Sequence, residues 1–370
     1  MKKIIFCSYP DFSDNALSLF EYMLKNNISG EYVWLYSDAK AAELFEKKIA
    51  HKMKNNVKFI KKNSVQGIWN YITGNYVFTT HGMFEQIPLF PWQVKVNLWH
   101  GMPLKKIGLL LSTSSKLRMS YTISNGSIFD KYIKEAFGVL DGQILKVGYP
   151  RNDVFVDPSR FSFTEIFKNN NSVIGWFPTY RKTKTGVIRD DGAYNEHSIT
   201  GLTIQDLNVV NDSLLLSGKN MIIKLHPMDI INDDKSFIET INSLSNIKIL
   251  DNNSTILASF SLYEILKSTD SLITDYSSIY FDYLLLNKPI GIFANDFVDY
   301  SETRGIIEEV DLSFKGYKIS DVTSMVNFIN LDNKERNEVI RIIAEGKKTF
   351  QTYDTEGNNC ETILKLLNIV

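Results

Sequence analysis

Short runs of β-branched and aromatic residues recur along the chain, each followed by a polar turn and a helix-like segment. This alternation constrains the fold more than any other feature, because a repeated strand–helix unit buries both faces of a parallel sheet. The first series comprises Lys3–Cys7, Glu31–Tyr36, Val57–Ile60, Tyr76–Thr80, Val94–Trp99 and Tyr121–Ser124. Ser13 and Asp14 are placed to cap a helix through Leu24, and Ser37 and Asp38 to cap one through about Met53. A second series follows Gly148-Tyr149-Pro150, with Val173–Phe177, Met221–Leu225, Ile247–Leu250, Ser271–Thr274 and Pro289–Phe293. The expected fold is α/β with two Rossmann-like domains, residues 1–160 and 161–370, the last helix packing back on the first. A length of 370 residues exceeds what one core usually supports, which fits that division.

Composition narrows the class further. With 44% hydrophobic and 22% charged residues, 20 Gly and 9 Pro, the chain is neither disordered nor of low complexity. No apolar run approaches the roughly 20 residues that span a bilayer. The basic opening Met1-Lys2-Lys3 leads into only Ile4 to Cys7 before Ser8, too short an apolar stretch for a signal peptide. Cys7 and Cys360 form neither a disulfide framework nor a metal knot, and a reducing, cytoplasmic setting is expected. The net charge of −1 conceals an asymmetry: residues 1–150 hold 19 Lys and Arg against 11 Asp and Glu, the remainder 22 against 31. A basic half suits nucleic acid, an anionic membrane or an anionic polymer, and equally a solvated lysine-rich surface.

In parallel sheets the βα loops converge beyond the carboxyl ends of the strands, so the residues that end each run carry the chemistry. Tyr76–Thr80 leads into His81-Gly82, and Val94–Trp99 into His100-Gly101-Met102-Pro103-Leu104-Lys105. In the second series the ends are Pro178-Thr179-Tyr180-Arg181, His226-Pro227 and Asp275-Tyr276-Ser277-Ser278. An imidazole at His100 suits proton abstraction near neutral pH, and Gly101 permits a close backbone approach. His226 could donate to a phosphoryl oxygen. Ser277 and Ser278, at a helix start, either cradle a phosphate or merely cap the helix, and Arg304 could add a bidentate clamp or lie idle on the surface. Each histidine alone reads as a structural hydrogen bonder, and three of the five following strands shift that reading towards a site. His51 lies in a lysine-rich stretch and reads as solvated.

There is no Walker loop, Gly-x-Gly-x-x-Gly, His-Glu-x-x-His or Cys-x-x-Cys, which disfavours kinase-type ATP binding, dinucleotide oxidoreduction and zinc hydrolysis. Asp190-Asp191 and Asp233-Asp234 lack an Asp-x-Asp spacing, so no metal site is expected.

The blocks Asn97 to Gly108, Gly148 to Asp153, Phe177 to Arg181, Ile223 to Pro227 and Leu272 to Ser278 together resemble, in order, the signature blocks of the CDP-glycerol glycerophosphotransferase family, the teichoic acid primases and polymerases. The resemblance implies a GT-B-like fold, two Rossmann-like domains facing across a cleft, with transfer of an alditol phosphate from a CDP-activated donor to a hydroxyl. It implies catalytic roles for His100 and His226. Thr179, Arg181, Thr274, Asp275, Ser277, Ser278 and Arg304 would line the donor site, with His81, Gly101 and Lys105 on the acceptor side. No cofactor is implied beyond CDP-glycerol or another CDP-alditol as donor. The expected partners are that donor, a lipid-linked saccharide or anionic polymer acceptor, and a membrane surface, but no nucleic acid. The enzyme would then be peripheral at the inner face of the cell membrane. Met102 stands where many members carry Thr, and Asp354 to Cys360 departs from an Asp-Gly-Lys type of ending; both bear on donor and acceptor identity more than on reaction class.

Two segments are candidates for membrane contact. One sets Lys47, Lys48, Lys52, Lys54, Lys58, Lys61 and Lys62 around Leu44, Phe45, Ile49 and Met53. The other sets Lys105, Lys106, Lys116 and Arg118 around Leu109 to Leu111. The alternatives are a GT-B glycosyltransferase using a nucleotide sugar and a non-enzymatic polyanion- or membrane-binding protein.

Overall fold

A computed structural model describes residues 1–50, 56–111, 116–179, 198–227, 229–252, 254–297, 305–311 and 314–370. Two units emerge: Met1–Met102 with Ile107–Val156 and Thr352–Val370, and Pro103–Lys106 with Asp157–Gln351. The C-terminal segment, including the helix Asn359–Leu366, thus belongs to the first unit, and residues 103–106 to the second.

Among the described residues the first unit holds a seven-stranded parallel sheet. Its strands are β1 (Lys3–Cys7), β2 (Glu31–Tyr36), β3 (Val57–Lys61), β4 (Tyr76–Thr79), β5 (Val94–Asn97), β6 (Tyr121–Ser124) and β7 (Ile144–Lys146), in the order β3-β2-β1-β4-β5-β6-β7. Strand order reverses between β1 and β4, the point at which parallel sheets open a crevice for ligands. Helices α1 (Asp14–Lys25), α2 (Ala39–Ile49), α3 (Val65–Thr73) and α4 (Ser127–Phe137) cross between strands. Ile4, Ile5 and Phe6 are fully buried, as expected where both faces of a strand are covered. Alternation sends Ile5, Val33 and Val77 to one face against Tyr71, while Phe6 stacks on Trp34 at 5.7 Å and on Phe78 at 5.4 Å.

The second unit repeats the arrangement in six parallel strands among the described residues. These are β8 (Ser172–Phe177), β9 (Lys219–Ile223), β10 (Ile247–Ile249), β11 (Ser271–Thr274), β12 (Ile290–Phe293) and β13 (Tyr317–Ile319), ordered β10-β9-β8-β11-β12-β13. Ile174, Trp176, Met221, Ile223, Ile273 and Phe293 share one core, and Val173, Ile222 and Leu250 pack with Phe161 and Phe163 in another.

Several boundaries differ from expectation, for local reasons. β5 stops at Asn97 because the Asn97 carboxamide accepts the Trp99 N–H at 3.0 Å and Trp99 turns to a φ of +49°. β9 begins two residues earlier than its apolar run and ends at Ile223. β7 and β13 were not anticipated, since three residues are too short to show an alternation. Ser13 does not cap α1 through its side chain; its hydroxyl donates to the Pro10 carbonyl, and Asp14 takes the Asn15 N–H. Asp38 does cap α2, accepting from Lys40 and Ala41.

The start of the first candidate membrane segment lies on α2, an amphipathic helix that buries Ala42, Phe45 and Ile49. Among its described apolar residues Phe45 and Ile49 are buried and Leu44 is exposed, and His51, Lys52, Met53 and Lys54 lie outside the described residues. In the second segment Leu109 is exposed while Leu110 and Leu111 are half-buried. No described helix is long and apolar enough to cross a membrane.

Candidate active site

His100 sits on a strained corner. A bulky residue in the left-handed region, as at Trp99, costs of order 1 kcal/mol or more and persists only when neighbours enforce it. They do so here: the buried Asn15 carboxamide donates to the Leu98 carbonyl at 3.1 Å and to the Trp99 carbonyl at 2.9 Å, and the Trp99 ring packs edge-on against Phe137 at 4.7 Å. Arg151, 3% exposed, donates to the His100 carbonyl at 2.8 Å and to Asp14 at 2.7 Å, with its guanidinium 4.7 Å above the Tyr149 ring. Its own backbone N–H reaches the Asn15 carboxamide oxygen at 3.3 Å. The corner that presents His100 is thus clasped by residues from α1 and from the Gly148–Asp153 block.

The imidazole electrostatics suit a base. Burial, with the neighbouring His81 and the Arg151 charge, holds His100 well below the ordinary histidine value of 6.5, so it is neutral at neutral pH. The ring of His81 lies 4.3 Å from that of His100, its Nδ1 is 2.9 Å from the Thr80 hydroxyl, and burial lowers its pKa too. Gly101 is buried beside them. So is Met102, at 1% exposed, which makes it a core side chain.

Lys105 falls elsewhere than expected. Residues 104–106 pair with 305–307: Lys105 bridges Ile306, the Lys106 N–H donates to Gly305 at 2.9 Å, and the Ile307 N–H donates to Leu104 at 2.9 Å. Lys105 therefore belongs to the second unit, close enough to His226 to depress its pKa.

In the second unit the switch point lies between β8 and β11. There the Asp275 carboxylate accepts the Thr179 N–H at 2.9 Å and the Thr179 hydroxyl at 2.6 Å, and both residues are buried. The Thr274 hydroxyl is fully buried and donates to the Phe177 carbonyl at 2.9 Å. Ser277 and Ser278 are half-buried at the start of the helix Ile279–Leu284; Ser278 makes no side-chain cap bond, and the Ile279 N–H is a long 3.5 Å from the Ser277 hydroxyl. Six residues develop little macrodipole, so anion binding there would rest on local N–H groups and hydroxyls. Arg181 and Arg304 lie outside the described residues.

His226 ends a network. The Lys224 ammonium donates to the Leu225 carbonyl at 2.9 Å and to the Asn252 carboxamide. Asn252 reaches Asn232 at 3.3 Å, and Asn232 donates to the His226 carbonyl at 2.8 Å. His226 itself is exposed, yet protein crowding its ring, with Lys224 and Lys105 nearby, lowers its pKa to about 4. Burial brings Lys224 down to about 8. An unfolded chain takes up a proton on this histidine below 6.5, whereas the folded one does so only near 4. Stability is therefore expected to fall as pH drops through that window, less steeply in His226→Gln. Urea unfolding at stepped pH checks this; identical pH slopes in both proteins would refute it.

The family described as CDP-Glycerol:Poly(glycerophosphate) glycerophosphotransferase matches residues 1–368. The chain belongs to this family. A teichoic acid glycerol-phosphate primase of Bacillus subtilis strain 168 is 26% identical over 96% of this chain and 89% of its own length. A teichoic acid glycerol-phosphate transferase of Staphylococcus aureus is 23% identical over 96% of this chain and 90% of its own length. The solved wall teichoic acid polymerase TagF superposes with a TM-score of 0.75 over 99% of this chain and 88% of that one at 22% identity, which establishes the shared GT-B-like α/β fold. Within this glycerophosphotransferase, the Gly148–Asp153 block anchors the C-terminal segment. A Cβ at Gly148 would lie 2.4 Å from the Asn359 carboxamide oxygen and 2.6 Å from the Asp354 carboxylate, and Asp153 accepts the N–H groups of Asn359 at 2.9 Å and Cys360 at 2.8 Å. The unusual ending Asp354 to Cys360 is thus packed structure in this family member. Sequence reasoning named the histidines but assigned nothing to Asn15, Arg151, Lys224, Asn232 or Asn252; for Arg151 and Lys224 the available signal was their place inside signature blocks.

Proposed function

We propose that the chain transfers glycerol phosphate from CDP-glycerol to a hydroxyl of a lipid-linked or polymeric acceptor in teichoic-acid-like or other cell-surface polymer synthesis. The observation that carries this reading is the family match along residues 1–368. A His-to-Asn variant of TagF has been solved after soaking with CDPG, which supports a CDP-alditol as donor here. In the proposed step the acceptor oxygen bonds to the phosphorus that bears glycerol, and the bond from that phosphorus to the bridging oxygen breaks. CMP leaves with the bond's electron pair, and the acceptor proton passes to the neutral His100 imidazole. His226, the Ser277 and Ser278 hydroxyls, Arg181 and Arg304 would hold the charge spread over the pyrophosphate, while the buried Thr179–Asp275 pair keeps the β8 and β11 ends in register. A panel of CDP-alditols and UDP-sugars tests the reading. Acceptor-dependent CMP release from CDP-glycerol is expected, and turnover of a UDP-sugar in its place would overturn it.

Transfer is proposed to need no tightly held divalent metal, positive side chains and N–H donors serving instead, a reading motivated by the missing Asp-x-Asp. Turnover should survive thorough chelation. Loss on chelation with recovery on added Mg²⁺ or Mn²⁺ would refute this. The basic first 150 residues support a peripheral location at the inner face of the membrane, where a lipid-linked acceptor would lie.

A further inference from the structure

Helix α3 presents the wrong face to water. Its buried residues are Gly67, Asn70 and Tyr71, whereas Val65 is 88%, Trp69 63% and Ile68 39% exposed. Trp92, 53% exposed, lies at the same helix, its indole N–H donating to the Ile72 carbonyl at 2.9 Å, and Phe90 stacks on it at 4.9 Å. Single exposed apolar side chains are ordinary, but two tryptophans, an isoleucine and a valine grouped on one helix and its neighbour mark a contact surface.

The ends of this face are basic. The sequence from Lys47 to Phe84 contains seven lysines and neither Asp nor Glu. Lys61 and Lys62 adjoin the start of α3 and are held to it by backbone contact: a Cβ on Gly67 would lie 2.3 Å from the Lys62 carbonyl oxygen and 2.4 Å from that of Lys61. At the other end the Lys3 ammonium donates to the Thr73 hydroxyl at 2.9 Å. A second copy of the chain would set like charge against like on this face, which disfavours self-association. Tryptophans with flanking lysines match the boundary of an anionic bilayer, where the rings enter the headgroup region and the ammonium groups meet lipid phosphates.

We propose that Val65, Ile68, Trp69 and Trp92, with Lys3, Lys61 and Lys62 at the ends of the face, seat the protein on an anionic lipid surface. The proposal rests on the peripheral-membrane reading above and assigns the contact to this face, which shares Lys61 and Lys62 with the first segment named from sequence. It places the tryptophans at headgroup depth and makes the contact sensitive to salt.

Co-sedimentation with phosphatidylcholine vesicles, with and without phosphatidylglycerol, tests it on the full chain. The unmodified protein should bind the anionic vesicles, less so at high salt, and brominated lipid should quench part of its tryptophan emission. Val65→Ser with Trp69→Gln should weaken binding about tenfold or more and remove most of the quenching, while CMP release with a soluble acceptor stays unchanged. The conservative Trp69→Phe should keep most of the binding. If the protein binds anionic vesicles and the Val65→Ser, Trp69→Gln variant binds equally well, the face is wrong while the membrane reading stands. If it binds no vesicle, both fail. If it binds none and sediments as a dimer that the variant converts to a monomer, the face is instead an interface between copies.

Discussion

Replacing His100 by alanine is expected to lower turnover by about 10²- to 10⁴-fold while thermal stability changes little, because general-base removal alone costs that much in rate. The ring is half-buried among His81 and Trp99, and the corner beneath it is held by Asn15 and Arg151 through backbone atoms that the substitution leaves in place. His226→Ala should fall in the same range if its imidazole meets the departing phosphate. The pH dependence separates the base role from a merely structural one. With its pKa held well below 6.5 by burial, His81 and Arg151, a base at His100 would be competent at neutral pH and would lose activity only on protonation. The acid limb of kcat/KM, which reports the free enzyme, should therefore lie well below 6.5. Near-normal turnover in folded His100→Ala, or an acid limb at or above 6.5, would remove the assignment.

Replacing Arg151 by methionine should cost about 3 kcal/mol of stability and slow turnover by about 10²-fold in the protein that still folds. The guanidinium is buried, and its loss leaves the Asp14 carboxylate short of its partner at 2.7 Å and the His100 carbonyl without its 2.8 Å donor. Asp14 retains some contact with water, at 18% side-chain exposure, which keeps the cost at the lower end for a broken buried pair. Arg151→Lys should not restore function, since a flexible ammonium cannot reproduce the rigid planar group whose single Nη1 donates to both acceptors while its plane lies over the Tyr149 ring. Adding Asp14→Asn to Arg151→Met should return part of the stability by removing the stranded charge, but little of the turnover, because the His100 carbonyl still lacks its donor. Urea unfolding and kcat measured on the single and double variants check this. Wild-type stability in Arg151→Met would show that the clasp does not hold the corner.

The candidate histidines were legible because strand ends are local signals. A run such as Tyr76–Thr79 declares itself by β-branched and aromatic residues, and the polar residues after it fall where βα loops converge. The parallel α/β class, the two series of strands and the candidacy of His81, His100, His226 and Asp275 follow from such patterns. The supports of the site were not legible, because they join residues distant in the chain. Asp14 and Arg151 are 137 positions apart, and Asp153 and Cys360 are 207 apart. No periodicity marks an arginine as buried, since its burial depends on a carboxylate and a carbonyl brought to it by folding.

By itself the sequence determined that this chain builds parallel sheets and where imidazoles, hydroxyls and lysines stand relative to the strand ends, since those depend on residues within one or two turns of each other. The tertiary structure alone decided that Lys105 joins the unit of His226, that residues 352–370 return to the first unit, and that α3 buries Asn70 while leaving Trp69 in water. A periodicity of 3.6 gives a helix its faces but does not say which of them the sheet will cover; at α3 that choice came from Gly67, the only residue small enough to let the helix close on the carbonyls of Lys61 and Lys62.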